Sequence, residues 1–195
     1  MARWQPARAD VIAEYAREIL AVHPQGRLLV GLDGIEHPAE GAQPSGREAF
    51  ASDLAAALVA EGVPSRAMPM GRFALPDATT PERFFDEAAF RAEVLTPYRR
   101  GEPAGLEGDR AVLVVSGPFL HFGDLAGVWH TSAWLQIPRA TALERDAARL
   151  PGVDLGPWTA LVDLAFRRLD ARKLANATFD LTDVCLLYTS DAADE

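Results

Sequence analysis

Apolar residues along this chain follow two alternating rhythms. From Ala7 to His23 they fall at Val11, Ile12, Tyr15, Ile19 and Leu20, a spacing that predicts an amphipathic helix. Pro24-Gln25-Gly26 stops it. Arg27 to Leu32 is short and almost wholly apolar, as a buried strand of a parallel sheet would be. Phe50, Leu54 and Leu58, four residues apart, predict a second helix ending near Gly62. Ser65 to Met70 predicts a second strand, weakened by Pro69. After an irregular stretch, Thr80-Pro81-Glu82 gives a helix-start signal: a capping hydroxyl, proline at the first position and an acid in the first turn. Phe84, Phe85, Phe90, Val94 and Leu95 lie in that segment. Ala111 to Val115 is the strongest strand signal, β-branched and bounded by Asp109 and Ser116-Gly117. A helical turn over Asp124 to Val128 and a fourth strand from Ser132 to Ile137 follow. Helices are then predicted over Arg139 to Leu150 and over Pro157 to Leu169, the latter burying Leu161, Leu164 and Ala165. Ala177 to Leu181 is the fifth strand.

Strands alternating with helices throughout predict an α/β fold with a mainly parallel sheet. At 195 residues and 49% hydrophobic, the chain has the material for one well-packed domain. The formal net charge of −9 argues against a nucleic-acid-binding face, which needs a basic stripe. No run approaches the roughly 20 apolar residues of a membrane span. The start, MARWQPARAD, has no apolar segment behind its arginines, so a cytoplasmic location is expected. His23, His37 and His130 are too scattered for a metal site, and no metal ligand set is expected.

The last eleven residues, Cys185 to Glu195, resemble the in-frame translation of a transposon-based sequencing adapter. On that expectation the natural sequence stops near Val184, residues 1–184 form one C-terminally truncated domain, and 185–195 are a non-native tail. Of the 28 acids, Asp191, Asp194 and Glu195 then drop out, leaving 25 against 19 bases, or −6. The single cysteine lies in the same tail, so no disulfide framework is expected.

The first strand ends in Gly31-Leu32-Asp33-Gly34 and passes through a Gly/Pro/acid-rich loop into the second helix. This is the strand–loop–helix layout of a phosphate-binding loop. Gly41-Ala-Gln-Pro-Ser-Gly46-Arg47-Glu48 has the G-x-x-x-x-G spacing. Arg47 stands where the phosphate-contacting lysine belongs, and Glu48 where the Mg²⁺-binding hydroxyl belongs. Ser45 and Glu48 also fit a capping box, with Ser45 as N-cap and Glu48 reaching back to its N–H. For Glu48 that reading outweighs a metal role. For Arg47 two readings stand, a phosphate ligand at a helix N-terminus or a solvated arginine in the first helical turn.

The order of these signals resembles the uridine kinase-like branch of the P-loop nucleoside kinases. The residues that carry the resemblance are the helix before Gly31-Leu32-Asp33-Gly34, the segment Pro81-Glu-Arg-Phe-Phe-Asp-Glu-Ala-Ala-Phe90, and Val112-Leu-Val-Val-Ser-Gly-Pro-Phe-Leu-His121. Trp129 and Pro138 of the next strand–helix unit, and Arg145-Asp146 at the start of a lid-like region, complete it. The resemblance spans Ala7 to Val184 and implies a three-layer P-loop NTPase fold. It also implies ATP and Mg²⁺ as cofactors and transfer of the γ-phosphoryl to a nucleoside or similar small hydroxyl compound. Nucleotide-binding positions are then Asp33, Gly34, Gly41, Ser45, Gly46, Arg47, Glu48 and Arg145. Substrate-binding positions are Arg72, Phe73 and His121.

Four departures fall within that one site. Arg47 replaces the lysine and Glu48 the hydroxyl. Gly71-Arg72-Phe73 stands where the family has Asp-Asp-Phe, and Ser116 replaces the acid at the end of the third strand. The loop is also longer by about seven residues between Glu36 and Ser45, with Pro38 and Pro44 in it. The expectation is a kinase-like fold with weak or lost phosphotransfer; the alternative is a non-catalytic nucleotide- or phosphate-binding or interaction module. Arg72 reads as a ligand for an anion or as a structural surface arginine, and His121 as cleft-facing or as a hydrogen-bonded strand end. Arg145, Arg167 and Arg168 read as helix-surface charges slightly more readily than as phosphate contacts, and Phe84, Phe85, Phe90, Trp129 and Trp134 as core.

Overall fold

In the computed structural model, residues 7–39, 43–182 and 188–189 are described. Six strands form one sheet in the order β2-β3-β1-β4-β5-β6. They are β1 Arg27–Asp33, β2 Ser65–Pro69, β3 Ala111–Ser116, β4 Thr131–Gln136, β5 Ala177–Asp180 and β6 Tyr188–Thr189. The first five pair in parallel, and β6, from the segment read as a tail, runs antiparallel to β5. β2 lies at one edge of the sheet, and Pro69 is its last residue, where a missing N–H costs the ladder little.

Alternation along β1 and β3 divides the core into two layers. Leu28, Val30, Leu32, Val112 and Val114 face α1 (Arg8–Val22) and α2 (Gly46–Ala60), meeting Ile12, Ala16, Phe50, Leu54 and Leu58. Leu29, Leu113 and Val115 face an aromatic-rich layer that includes Phe84, Phe85, Phe90, Phe119 and Trp158. Trp158 belongs to α6 (Gly156–Arg168), which follows α5 (Arg139–Arg149). Both central strands are buried almost end to end, which explains their unbroken apolar character.

The helix-start signal at Thr80-Pro81-Glu82 yields only a 3₁₀ turn, Pro81–Arg83, with no side-chain cap at Thr80. The helix begins six residues later, at Glu87. Asp86 caps it by accepting the N–H of Ala89 at 2.9 Å. Phe84 and Phe85 are both buried, and Phe85 forms a bridge with Ala74, a placement that a helix over them would forbid. Two short helices, α3 (Glu87–Phe90) and α4 (Thr96–Arg99), flank a π-helical turn at Arg91–Leu95.

Arg27 ties the loop after α4 to the start of β1. It donates from Nε to the Tyr98 carbonyl and from Nη2 to that of Leu106, both at 2.6 Å, while its guanidinium stacks 4.4 Å from the Tyr98 ring centroid. Gly31 is required for a different reason. A Cβ there would lie 2.8 Å from Cδ2 of Trp129, whose Nε1 is held by the Leu120 carbonyl at 2.8 Å. Gly31→Ala is therefore expected to cost about 1–3 kcal/mol through displacement of that indole, measured by urea denaturation. A loss below about 0.5 kcal/mol would show that the ring moves freely.

Candidate functional site

The site grows from the C-terminal end of β1 and the first turn of α2. Ser45 caps α2: its Oγ accepts the N–H of Glu48 at 3.2 Å, and the Glu48 carboxylate accepts the N–H of Ser45 at 2.8 Å. The capping box read from the sequence is present, and it engages Glu48 through its carboxylate.

The remaining donors of this helix start are taken by a residue that the sequence reading passed over. The Glu36 carboxylate accepts the N–H of Gly46 at 3.1 Å and that of Arg47 at 2.7 Å. Glu36 is itself buried. An anion at these N–H groups is favoured by the unsatisfied donors and by the helix dipole. In a phosphate loop this is the phosphate's place, and here the chain's own carboxylate fills it.

Arg47 is neither solvated nor turned outward. It is 1% exposed, and its Nη1 donates to the carbonyls of Gly34 and Glu36, both at 2.9 Å. Its Nε and Nη2 are buried with no hydrogen-bond partner among the described residues. Burial pulls the guanidinium below its ordinary pKa, opposed by the carboxylates of Glu36, Glu48, Asp33 and Asp146. The solvated-arginine reading is thus corrected: the guanidinium folds back into the loop and neutralises it.

Asp33 is also inside. Its carboxylate accepts from Gly34 at 2.7 Å and from Leu120 at 3.0 Å, tying the end of β1 to the connection after β3. Phe119, just before Leu120, takes a left-handed φ of 59°, rare for an aromatic residue. Burial pushes the Asp33 carboxyl up to about 7 despite the attraction of Arg47 and these N–H donors. Gly34 packs close: a Cβ there would stand 3.0 Å from the Leu135 carbonyl.

α5 straps the loop down. Asp146 is fully buried and accepts the N–H of His37 at 2.9 Å and Arg149 Nη2 at 2.8 Å. Arg149 in turn donates to the carbonyls of His37 and of Gln43, the latter at 3.1 Å. Arg145, expected at the nucleotide, instead donates to the carbonyls of Leu181 at 3.0 Å and Thr182 at 2.8 Å. One helical turn separates the two arginines, and the loop is held by the later one. Arg168 forms an exposed pair with Glu82. Gly41, named as a phosphate-loop glycine, lies outside the described residues.

Beside the loop a cleft of about 510 Å³ runs between the first turns of α2, the outer edge of β2 and the π-helical turn. Glu48, Arg66, Gly71, Arg72, Glu93 and Ser116 supply its polar rim and floor. The Ser116 hydroxyl is buried and has no partner among the described residues. Arg72 reaches Glu93 at 3.3 Å and lies over the Phe73 ring. Phe73 itself is buried edge-on against Phe90 at 5.4 Å, a core residue and not a stacking platform. His121 is buried, which lowers its pKa, and its Nε2 has no partner among the described residues. Among the sequence-derived substrate positions, the structure brings only Arg72 to the cleft, together with Gly71 and Ser116 from the lost acid positions.

No family model and no curated protein matches this chain. Solved structures do. A protein from Bacillus stearothermophilus described as a possible uridine kinase superposes with a TM-score of 0.60 at 16% identity, covering 88% of this chain and 98% of its own. The YGR205w protein superposes with a TM-score of 0.51 at 14% identity, covering 92% and 97%. The chain has the fold of a P-loop nucleoside kinase. At such identities the likeness extends to the fold and no further, and the site must be judged on its own residues. No helix among the described residues is long and apolar enough to cross a membrane.

ATP and Mg²⁺ fit these residues poorly. The N–H groups that would meet phosphate oxygens already hold Glu36, and Arg47 is spent on loop carbonyls. Glu48 is engaged in the capping box. Among the described residues no three His, Cys, Asp or Glu side chains are grouped to hold a metal ion.

Proposed function

We propose that this P-loop kinase-fold protein has a degenerate phosphate loop and carries out little or no ATP-dependent phosphoryl transfer, while keeping a cleft for a small ligand. The observation that carries this reading is the Glu36 carboxylate on the N–H groups of Gly46 and Arg47. Phosphoryl transfer depends on positioning the β- and γ-phosphates and neutralising their charge. A carboxylate in that position opposes both. The acceptor side supports the same reading. Where the resemblance calls for an acid to orient the acceptor hydroxyl, the cleft presents Gly71, Arg72 and Ser116. None of these is a general base at neutral pH in this setting.

Ligand binding is a separate matter from transfer. The cleft falls within the volume range of small-molecule sites and joins apolar walls to a few polar groups. A nucleoside or a similar small hydroxyl compound is the ligand class we assign to it, on the strength of the resemblance to nucleoside kinases and of the polar groups of Arg66, Arg72 and Glu93 set beside apolar walls.

The test pairs ATP titration, with and without Mg²⁺, with a phosphoryl-transfer assay over a nucleoside panel. We expect no saturation by ATP below about 1 mM, the upper end of ordinary KM values, and no transfer above background. Nucleosides that bind the cleft should raise the melting temperature in a concentration-dependent way. Mg²⁺-dependent ATP binding accompanied by turnover would overturn the reading.

A further inference from the structure

The outer edge of β2 is an unfinished ladder in the wall of the cleft. Val112 donates its N–H to the Pro64 carbonyl, and Met70 donates its N–H to the Ser116 carbonyl, both at 2.9 Å. With the parallel register of β2 on β3, this turns the backbone groups of the even-numbered residues toward β3. The odd-numbered residues turn theirs away from the sheet. The N–H and C=O of Ser65 and Ala67, and the C=O of Pro69, have no backbone partner among the described residues. Such a row is a template for one more strand. Both flanks of the edge are walled, by Ala51 and Ser52 of α2 on one side and by Val94, Tyr98 and Pro103 on the other. A second copy of the chain would bring its own walls to the edge and be kept off by them, whereas a single extended segment meets no such obstacle.

We propose that the β2 edge is a docking site for an extended peptide segment of a partner protein, which adds to the sheet beside β2 and carries acidic side chains on one face and neutral ones on the other. The register sets these faces. Arg66 and Met68 stand beside Leu113 and Val115, on the side of the aromatic layer, and Ser65 and Ala67 beside Val112 and Val114, on the side of α2. On the first face Arg66 is exposed and makes no ion pair among the described residues, while Arg72 already holds Glu93. An acid of the added strand supplies the missing partner there. On the second face the wall is neutral or acidic, made by Ala51, Ser52 and Glu48, so a neutral side chain is accepted and an acid repelled. Pro69 does not spoil the edge, because it ends the strand and contributes only an outward carbonyl. The docking site goes beyond the small-ligand reading and does not depend on it. Pro69 stands opposite Ser116, so the end of the cleft marked by Gly71, Arg72 and Ser116 begins where the strand edge stops.

The experiment uses the full chain and, as probe, the peptide acetyl-Glu-Thr-Val-Thr-Glu-amide, by calorimetry and by amide hydrogen exchange. Binding should saturate below about 1 mM and should slow exchange of the Ala67 N–H at least about tenfold, since that amide gains an acceptor. The peptide with lysine in place of glutamate should bind at least about tenfold more weakly, and Arg66→Glu should reverse that preference. Ala67→Pro removes an N–H that β3 does not use, so the fold is kept; it should weaken the acidic probe at least about tenfold and leave melting shifts with nucleosides unchanged. No saturation below that limit overturns the proposal. Binding that leaves the Ala67 amide unprotected, or that Ala67→Pro leaves intact, overturns it as well, because the peptide would then lie in the cleft without joining the sheet. Should Ala67→Pro not fold, protection of the Ala67 amide and the preference of Arg66→Glu decide together, and the absence of either overturns the proposal. A dimer of the unaltered chain that Ala67→Pro abolishes would overturn it in favour of pairing between copies. Failure of nucleosides to bind would sink the small-ligand reading and leave this one standing.

Discussion

Arg47→Met is expected to destabilise the protein by about 3–5 kcal/mol, the range for removing one partner of a buried ion cluster. The methionine would retain most of the apolar stem, so packing loss is small and the charge effect is isolated. What remains is a buried Glu36 carboxylate with no counter-charge, and the carbonyls of Gly34 and Glu36 without their donor. Asp33, Glu48 and Asp146 add to the uncompensated field, since each attracts the guanidinium electrostatically. Urea denaturation compared at constant slope is the measurement. Arg47→Lys should recover part of the loss, because an ammonium keeps the charge but cannot span two carbonyls as a planar fork does. The same variant restores the lysine of the phosphate-loop pattern, and it should still fail to transfer phosphate, because Glu36 keeps its place. An Arg47→Met variant within about 0.5 kcal/mol of the parent would mean that the arginine is not the counter-charge of this loop.

That expectation shows which parts of the molecule the sequence displays and which it conceals. β1 and β3 were legible because a strand buried on both faces must be apolar at every position, and Leu28, Val30, Val112 and Val114 are. The capping box was legible because it is local: Ser45 and Glu48 are three residues apart and complete each other's hydrogen bonds. Two of the misreadings, the helix start and Arg145, have a common cause, since both concern contacts between residues distant in the chain. Thr80-Pro81-Glu82 carries every local mark of a helix start, yet Phe84 and Phe85 are drawn into the aromatic layer with Phe119 and Trp158, and the helix waits for Asp86. Arg145 and Arg149 present the same face of α5, and only the distance to a particular loop carbonyl selects Arg149.

Glu36 is the instructive omission. An arginine in the lysine position attracts notice, and an acid two residues after Gly34 does not. Taken together they are complementary: the loop has gained a negative charge where phosphate would bring one, and the helix has kept the positive charge that phosphate would meet. The pair amounts to an internal substitute for the ion pair between a lysine and a nucleotide. The resemblance to a kinase and the proposed loss of kinase chemistry then have a single explanation. The fold still needs an anion at the head of α2, and the chain supplies it.

Asp33 carries the second large effect, as a pH dependence. Its carboxyl is pushed up to about 7 by burial, whereas in the unfolded chain it titrates near 3.9. A raised native value means that the folded protein holds a proton which the unfolded chain has released. The contribution of Asp33 is therefore fullest below about pH 4, falls as the pH rises toward 7, and is level above that. At about 1.4 kcal/mol per unit, the whole effect approaches 4 kcal/mol, and roughly 2.5 kcal/mol of it falls between pH 5 and pH 8. Asp33→Asn removes the titration. It also carries a pH-independent cost, because one amide oxygen must serve the N–H groups of Gly34 and Leu120 that two carboxylate oxygens now share. The informative quantity is thus the difference between the variant and the parent, measured by urea denaturation at several pH values. Titration of His37, His121 and His130 largely cancels in that difference. The variant should gain on the parent by about 2–3 kcal/mol from pH 5 to pH 8. Parallel curves across that interval would show that Asp33 is ionised throughout, held so by Arg47 and its backbone donors against the cost of burial.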